Sequence, residues 1–266
     1  MASITACIIA YNEEKRIRGC LESLVGVVDD IVVVHDGPCS DATLDIARQF
    51  GARVFIGSHY GYMEPHLPQA YREAKGEWVL RIDADEALSL ELRKALPQLI
   101  TDSRVDAYEF LWRLHDGQRY LTRRWPHKRC LFRKDAVSFL ALPDYVAQVP
   151  GVVSRLDLEL IHTPGYDNYS WETFRKKWIG LAKIRREAYL SDIASIPSFN
   201  YSSRWPRSMA WRRHRPLLVL PADVAIVFVK TWADGWREGT VAVRAALCQA
   251  ALRFLVDWSI YRTKKS

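Results

Sequence analysis

Asp83 and Asp85 are carboxylates separated by a single residue, in the run Arg81-Ile82-Asp83-Ala84-Asp85-Glu86. At the end of a strand such a pair converges on one hard cation. Mg2+ and Mn2+ prefer oxygen ligands and commonly bridge to phosphate oxygens. An acidic loop that only caps the next helix is the alternative reading. A second carboxylate, Asp36, lies in Val34-His35-Asp36-Gly37-Pro38, beside a Gly-Pro turn where it can accept hydrogen bonds from a base or a ribose. Asp41, a few residues on, reads as a helix N-cap. The third group is Tyr11-Asn12-Glu13-Glu14. Tyr11 can lie flat on a nucleobase or simply rim the core, and Glu13 and Glu14 suit a first helical turn.

All three groups fall where strands end. The apolar run Ile4–Ala10 suits a parallel strand buried on both faces, and Ile31–His35, Arg53–Ile56 and Trp78–Ile82 repeat the pattern. Helical periodicity lies between them: Glu13–Val25 aligns Ile17, Cys20, Leu21 and Leu24, a second helix follows Asp41, and Pro65–Lys75 ends at Gly76. Strands alternating with helices predict a mostly parallel α/β sheet with right-handed crossovers. Ligands of such sheets bind beyond the carboxyl ends of the strands. From Ala107 the rhythm changes to shorter strands at Ala107–Trp112, Arg129–Arg133 and Glu159–His162. Ser170–Leu190 reads as an amphipathic helix.

Together these residues resemble the family 2 glycosyltransferases. The resemblance rests on Ile8-Ile9-Ala10-Tyr11-Asn12-Glu13-Glu14, then Asp36…Asp41-Ala42-Thr43, then Gly76-Glu77-Trp78 leading to Asp83-Ala84-Asp85-Glu86. The form Ile-Asp-Ala-Asp-Glu is most similar to the branch that includes lipopolysaccharide-core β-glucosyltransferases. Weaker similarity continues through Cys130-Leu131-Phe132-Arg133 and Leu160-Ile161-His162. The resemblance implies a GT-A fold, a nucleotide-sugar donor with uracil as the favoured base, and inversion at the transferred sugar. By family position Ala10, Tyr11, Glu13, Asp36, Asp83 and Ala84 line the nucleotide-sugar site, with Tyr11 and Asp36 at the base and Asp83 at the ribose. Asp85 is the implied ligand of Mg2+ or Mn2+, and His162 stands where relatives place a histidine near the metal or diphosphate. A satisfied structural histidine is the other reading of His162. Relatives carry His-Glu where this chain has Leu142-Pro143-Asp144-Tyr145, which nominates Asp144 as general base or as the start of a turn. They also carry an Arg-Asn pair, its Arg at the diphosphate, where this chain reads Glu64-Pro65-His66-Leu67-Pro68-Gln69. His66, Arg72 and the group Arg123, Arg124, Lys128 and Arg129 are the candidate replacements.

The 266 residues suit a catalytic domain over 1–165, with a nucleotide-binding half at 1–95 and an acceptor half at 96–165, followed by a helical extension over 166–266. Charge separates these parts. Residues 1–200 hold 26 Lys and Arg against 27 Asp and Glu, whereas residues 201–266 hold 12 against 4. Five of the ten tryptophans also lie in that last segment. Basic charge interleaved with Trp points to an anionic surface, and the resemblance makes a membrane carrying a glycan or lipid-linked acceptor the expected partner. Leu217–Trp232 and Thr240–Tyr261 read as helices, interfacial or core-packed rather than spanning, because Asp223, Arg244, Arg253 and Asp257 interrupt them. No nucleic acid is expected, since no recognition motif is present and the basicity avoids the carboxylate half. A nucleotidyltransferase is disfavoured by the lack of glycine in Ala10-Tyr11-Asn12-Glu13-Glu14. Five scattered cysteines without a C-x-x-C pair, and no basic leader before Ile4, fit a cytoplasmic chain peripheral to the membrane.

Overall fold

β1 (Ile4–Ala10) is buried at every position, because strands flank both its edges and helices cover both its faces. The computed structural model describes residues 2–265 apart from Asp144 and Ser203. After β1 come α1 (Ile17–Leu24), β2 (Asp30–Asp36), α2 (Thr43–Gln49), β3 (Arg53–Gly57), α3 (Leu67–Glu73) and β4 (Trp78–Arg81). β5 (Glu86–Leu88), α4 (Leu90–Leu99), β6 (Ala107–Leu111), β7 (His127–Arg133), β8 (Phe139–Leu140) and β9 (Val153–His162) follow. The eight-stranded sheet has the order β3-β2-β1-β4-β7-β6-β9-β5. β3, β2, β1 and β4 are mutually parallel, β7 is antiparallel to both β4 and β6, and β9 runs parallel to β6. This is the mostly parallel α/β sheet that the alternation predicts. The carboxyl ends of β1, β2, β4, β6 and β9 and the start of β7 therefore share one edge.

The chain divides into two units. The sheet unit holds residues 1–113, 127–163 and 197–201. On one face Ile4, Ala6, Ile8, Trp78 and Leu80 bury α1 through Ile17, Cys20, Leu21 and Leu24. On the other, α3 inserts Tyr71 among Phe132, Phe139 and Phe199, the last from β10 (Ser198–Phe199), which pairs with β8. Two local readings change. The first turn expected from Glu13 is not yet α-helix but a turn closed by the Arg16 and Ile17 amides on the Glu13 carbonyl, so α1 starts at Ile17. The strand expected at Glu159 starts at Val153, because β9 pairs along the length of β6.

The helical unit holds residues 114–126, 164–196 and 202–266. It contains α5 (Trp171–Thr173) continuing through a wider turn into α6 (Ile179–Leu190), then α7 (Arg207–His214), α8 (Pro216–Gly235) and α9 (Thr240–Lys265). Its core joins Phe174, Trp178, Ala182 and Tyr189 to Leu252, Val256 and Ile260 of α9. Arg212 ties four helices, reaching the Tyr189 hydroxyl at 2.9 Å, the Asp223 carboxylate, and the buried Asp257 at 3.0 Å. The Asp223 that interrupts the apolar run is thus neutralised inside the unit. Pro216–Glu238 is long and apolar enough to cross a membrane, an 18-residue window within it having a mean hydropathy of 1.6 and 6% of its residues buried.

Candidate functional site

The β1 edge is built by polar cross-links between two loops. Asn12 takes a left-handed backbone with φ 53°. Its amide donates to His35 Nε2 at 3.1 Å, and its side-chain oxygen accepts the Ser40 amide at 3.0 Å. The buried His35 bonds the Gly37 carbonyl through Nδ1 at 2.7 Å, so it is the neutral tautomer with its proton on Nδ1. Glu13 donates its amide to Thr43 Oγ1 at 2.6 Å, and Glu14 donates its own to Asp41 at 3.1 Å. Asp41 also takes the Thr43 amide; burial pushes its carboxyl up, but the bonds from Thr43, Glu14 and Cys39 together outweigh that and hold it down at about 2. Asp41 and Thr43 are therefore braces. Braced this way, Tyr11 stands half exposed with its ring 4.9 Å from that of His59.

Asp36, at the end of β2, is buried and heavily bonded. It accepts the Tyr60 amide at 2.6 Å, the Gly61 amide at 2.9 Å, and His66 Nε2 at 2.8 Å, with His59 Nδ1 3.1 Å away. Burial pushes its pKa up, but the Tyr60 amide, His66 and the Gly61 amide outweigh it and hold the carboxyl below its usual range. Two glycines permit this packing. A Cβ on Gly37, at φ +84°, would lie 2.7 Å from the His59 Cβ, and one on Gly57 would lie 2.5 Å from the His66 ring. The loop so held closes a cavity of about 360 Å3 lined by Ile9, Ala10, Tyr11, Asp36, His59 and Met63, among others. Asp36 is thus part of a wall whose acceptors are engaged, rather than a free carboxylate.

Beyond β4, Asp83 and Asp85 part company. Lys128, at the start of β7, places its ammonium 2.7 Å from Asp83 and 2.6 Å from Glu86. The Asp83 amide donates to Glu86 at 2.9 Å. Burial alone would raise both acids, yet the charges of Lys128 and Arg81 bring Asp83 down to about 2. Glu86 ends up raised, because burial and the Asp83 charge together exceed the pull of Lys128. Trp112 donates Nε1 to Glu86 at 2.5 Å and stacks on His162 with ring centroids 3.9 Å apart. His162 Nε2 lies 3.7 Å from Asp85, and its Nδ1 is buried with no partner. Arg16 approaches Asp85 only to 4.0 Å.

Asp85 therefore keeps its oxygens available while Asp83 is committed to Lys128. An oxygen donor beside an imidazole fits Mg2+ or Mn2+, which keeps several waters and takes further oxygens from a phosphate-bearing ligand. Among the described residues no grouping of three or more His, Cys, Asp or Glu forms a complete protein cage. Ala10 and Ala84 are buried, so the main chain is what they can offer. Glu13 turns its side chain onto Arg16 at 2.9 Å. Asp144 lies outside the described residues.

The proposed replacement cations are distributed differently from the sequence expectation. His66 serves Asp36, Arg72 bonds the Ser198 carbonyl at 3.0 Å, and Arg129 pairs with Glu109 at 3.0 Å. Arg123 and Arg124 belong to the helical unit, where Glu238 accepts their amides. Trp125 of the same loop is buried and donates to Asp234 at 2.9 Å. Trp112 and His59 carry no signal of a site role in the sequence, and Lys128 stands there as one of the candidate phosphate cations. Lys128 did leave a signal: it is in strand phase with Cys130, a core residue.

The profile of the family described as glycosyl transferase family 2 matches residues 5–147. An uncharacterized glycosyltransferase of Rickettsia felis is 35% identical over 123 residues, 46% of this chain and 38% of its own length. Another, from Rickettsia typhi, is 34% identical over 123 residues, 46% of this chain and 37% of its own. The chain thus spans less than two fifths of these curated relatives. Among solved structures, S. aureus TarS 1–349 in complex with UDP-GlcNAc aligns over 98% of this chain and 92% of its own, at 15% identity and a TM-score of 0.47. Glucosyl-3-phosphoglycerate synthase from Mycobacterium tuberculosis, in complex with Mn2+, UDP and phosphoglyceric acid, aligns over 71% and 76%, at 16% identity and a TM-score of 0.46.

Proposed function

The chain belongs to glycosyltransferase family 2, and from that premise we propose that it transfers a hexose, with inversion, from a nucleotide-sugar donor to a glycan or lipid-linked acceptor. The observation that carries this is the shared edge. Asp83 and Asp85 follow the end of β4, directly beside β1, whose end opens the cavity walled by Tyr11, Asp36 and His59. Tyr11 offers its exposed face to the base. Asp83 offers the ribose the oxygen that Lys128 leaves free. Asp85 and His162 would hold Mg2+ or Mn2+, which when bound neutralises the departing diphosphate as a Lewis acid. UDP is the favoured carrier, and Asp144 is the proposed general base on sequence grounds alone.

The helical unit supports a membrane-borne acceptor. Leu218, Ile226, Val229, Trp232 and Trp236 are exposed along one stripe of α8 and the turn after it, in the segment rich in arginine. An apolar stripe flanked by cations suits the interface of an anionic membrane. We read the chain as peripheral on the cytoplasmic face, acting on an acceptor of lipopolysaccharide type in cell-envelope synthesis.

Calorimetric titration of the purified chain with UDP, GDP and dTDP, with and without Mn2+, tests the donor site. Metal-dependent binding of one nucleotide, lost in Asp85→Ala, supports the reading. A wild-type protein that binds none of the three with Mn2+ present removes it.

A further inference from the structure

Glu64-Pro65-His66-Leu67-Pro68-Gln69, where the resemblance implies a diphosphate-binding arginine, holds none, and the departing nucleoside diphosphate bears more negative charge than one divalent ion neutralises. We propose that Arg81, reaching up from β4, supplies the missing cation and binds the donor's diphosphate; this rests on the donor-site reading above. Three observations place it there. Arg81 lies two residues before Asp83, and Trp78 and Leu80 take the core face of β4, so Arg81 leaves the strand on the opposite face, toward α3. Its guanidinium meets Met63 Sδ at 3.0 Å, beneath the Glu64–His66 turn where the relatives' arginine would stand. Met63 in turn lines the base cavity, so the guanidinium lies next to that cavity and to Asp83.

The hydrogen-bonding of Arg81 is incomplete. Nε is buried with no partner, and a thioether is a weak acceptor for a guanidinium built to grip two oxygens at once. Among the described residues no carboxylate meets it at ion-pair distance. Burial lowers its pKa, but the Asp83 carboxylate, the Tyr71 hydroxyl and Glu64 more than restore it, so it stays charged. In a half-buried, charged guanidinium, a buried Nε without a partner is costly unless a ligand completes it. Its neighbours offer no such relief. His66 is engaged with Asp36, Lys128 with Asp83 and Glu86, and Arg129 with Glu109. Arg16 is the competitor, because its guanidinium lies 4.0 Å from Asp85.

The test compares nucleoside diphosphates with their nucleosides. UDP, GDP and dTDP, then uridine, guanosine and thymidine, are titrated calorimetrically into wild type, Arg81→Gln, Arg81→Lys and Arg16→Gln, each with Mn2+ and with EDTA. Charge-assisted bonds of this kind predict a loss of about ten- to a hundredfold in diphosphate affinity for Arg81→Gln. Nucleoside affinity should hold, and Arg81→Lys should recover part of the loss. Melting temperatures show whether each variant is folded, and Arg81→Lys carries the comparison if Arg81→Gln is not. Equal losses for diphosphate and nucleoside, wild-type diphosphate binding by Arg81→Gln, or a selective loss in Arg16→Gln instead would overturn the assignment. A wild type that binds no nucleotide at all removes the donor-site reading itself.

Discussion

The Lys128 ammonium lies 2.7 Å from the Asp83 carboxylate, and it is the charge that lets Asp83 remain ionised beside a second buried acid, Glu86. Lys128→Met removes the ammonium that both carboxylates share and leaves only the more distant charge of Arg81 on Asp83, and removing one partner of a buried ion pair costs about 3–5 kcal/mol. The pH dependence gives a sharper sign. In the wild type Asp83 titrates near 2, below its unfolded value of 3.8, so its stabilisation is complete above that value and fades as pH falls toward 2. Glu86 is already raised in the wild type, and without the pull of Lys128 it rises further, so the variant should gain stability more steeply than the wild type as pH falls from 7 toward 5. Urea unfolding at pH 7 and pH 5 measures this. Parallel behaviour of variant and wild type would show that Lys128 is not the compensating charge.

Trp112 couples Glu86 to His162. Trp112→Phe keeps a ring against His162 but removes the N–H that bonds Glu86, at a stability cost of about 1 kcal/mol. Trp112→Ala removes the stack as well and leaves the imidazole free to turn. If His162 is a metal ligand, Trp112→Ala should weaken Mn2+ binding by roughly 10- to 100-fold, and Trp112→Phe much less. Manganese titration followed by electron paramagnetic resonance, with UDP present, reads the difference. Unchanged affinity in Trp112→Ala would make His162 a structural residue only.

Asp36 holds the loop that closes the base cavity, so its removal should be visible as motion. Asp36→Asn replaces a charged acceptor of the Tyr60 and Gly61 amides by a neutral one. The expected cost is about 1–3 kcal/mol, with faster amide exchange confined to the peptide spanning residues 57–63. Because the folded-state pKa is depressed, the wild-type contribution is present at neutrality and lost on acidification below the unfolded value. Hydrogen exchange by mass spectrometry decides it. Protection equal to wild type at residues 60 and 61 would assign the loop's order to His59 and His66 alone.

The parts of the site legible in the sequence are those carried by the parallel strands. Tyr11, Asp36, Asp83 and Asp85 follow short apolar runs, and a parallel strand must deliver its last residues to the ligand edge. The carboxylate network was not legible, because Lys128 reaches Asp83 across 45 residues and Trp112 reaches Glu86 across 26. Only antiparallel pairing of β7 with β4 and β6 brings them in, and periodicity carries no pairing information. The bonds that Asp36 accepts within the chain are not legible in the sequence, because two of its donors are backbone amides of a loop with no pattern of its own. The late start of α1 has a local cause: Glu13 and Glu14 spend their amides on Thr43 and Asp41 instead of opening a helix.

The stripe on α8 makes a prediction separable from catalysis. Trp232 and Trp236 are exposed, and Arg215, Lys230 and Arg237 lie along or beside the same helix. At a lipid interface the apolar side chains enter the boundary, and each nearby cation adds about 1 kcal/mol from anionic headgroups. The chain should therefore sediment with vesicles of phosphatidylglycerol and far less with phosphatidylcholine, and added salt should weaken the binding. Replacing Trp232 and Trp236 together by Ser should reduce vesicle binding by about tenfold or more, since each ring buries a large apolar area. Nucleotide binding by the sheet unit should be unaffected. If the stripe instead meets a second copy of the chain, the double variant will alter the mass seen in analytical ultracentrifugation and leave vesicle binding as it was. That result would detach the helical unit from the membrane and return the choice of acceptor to the sheet unit alone.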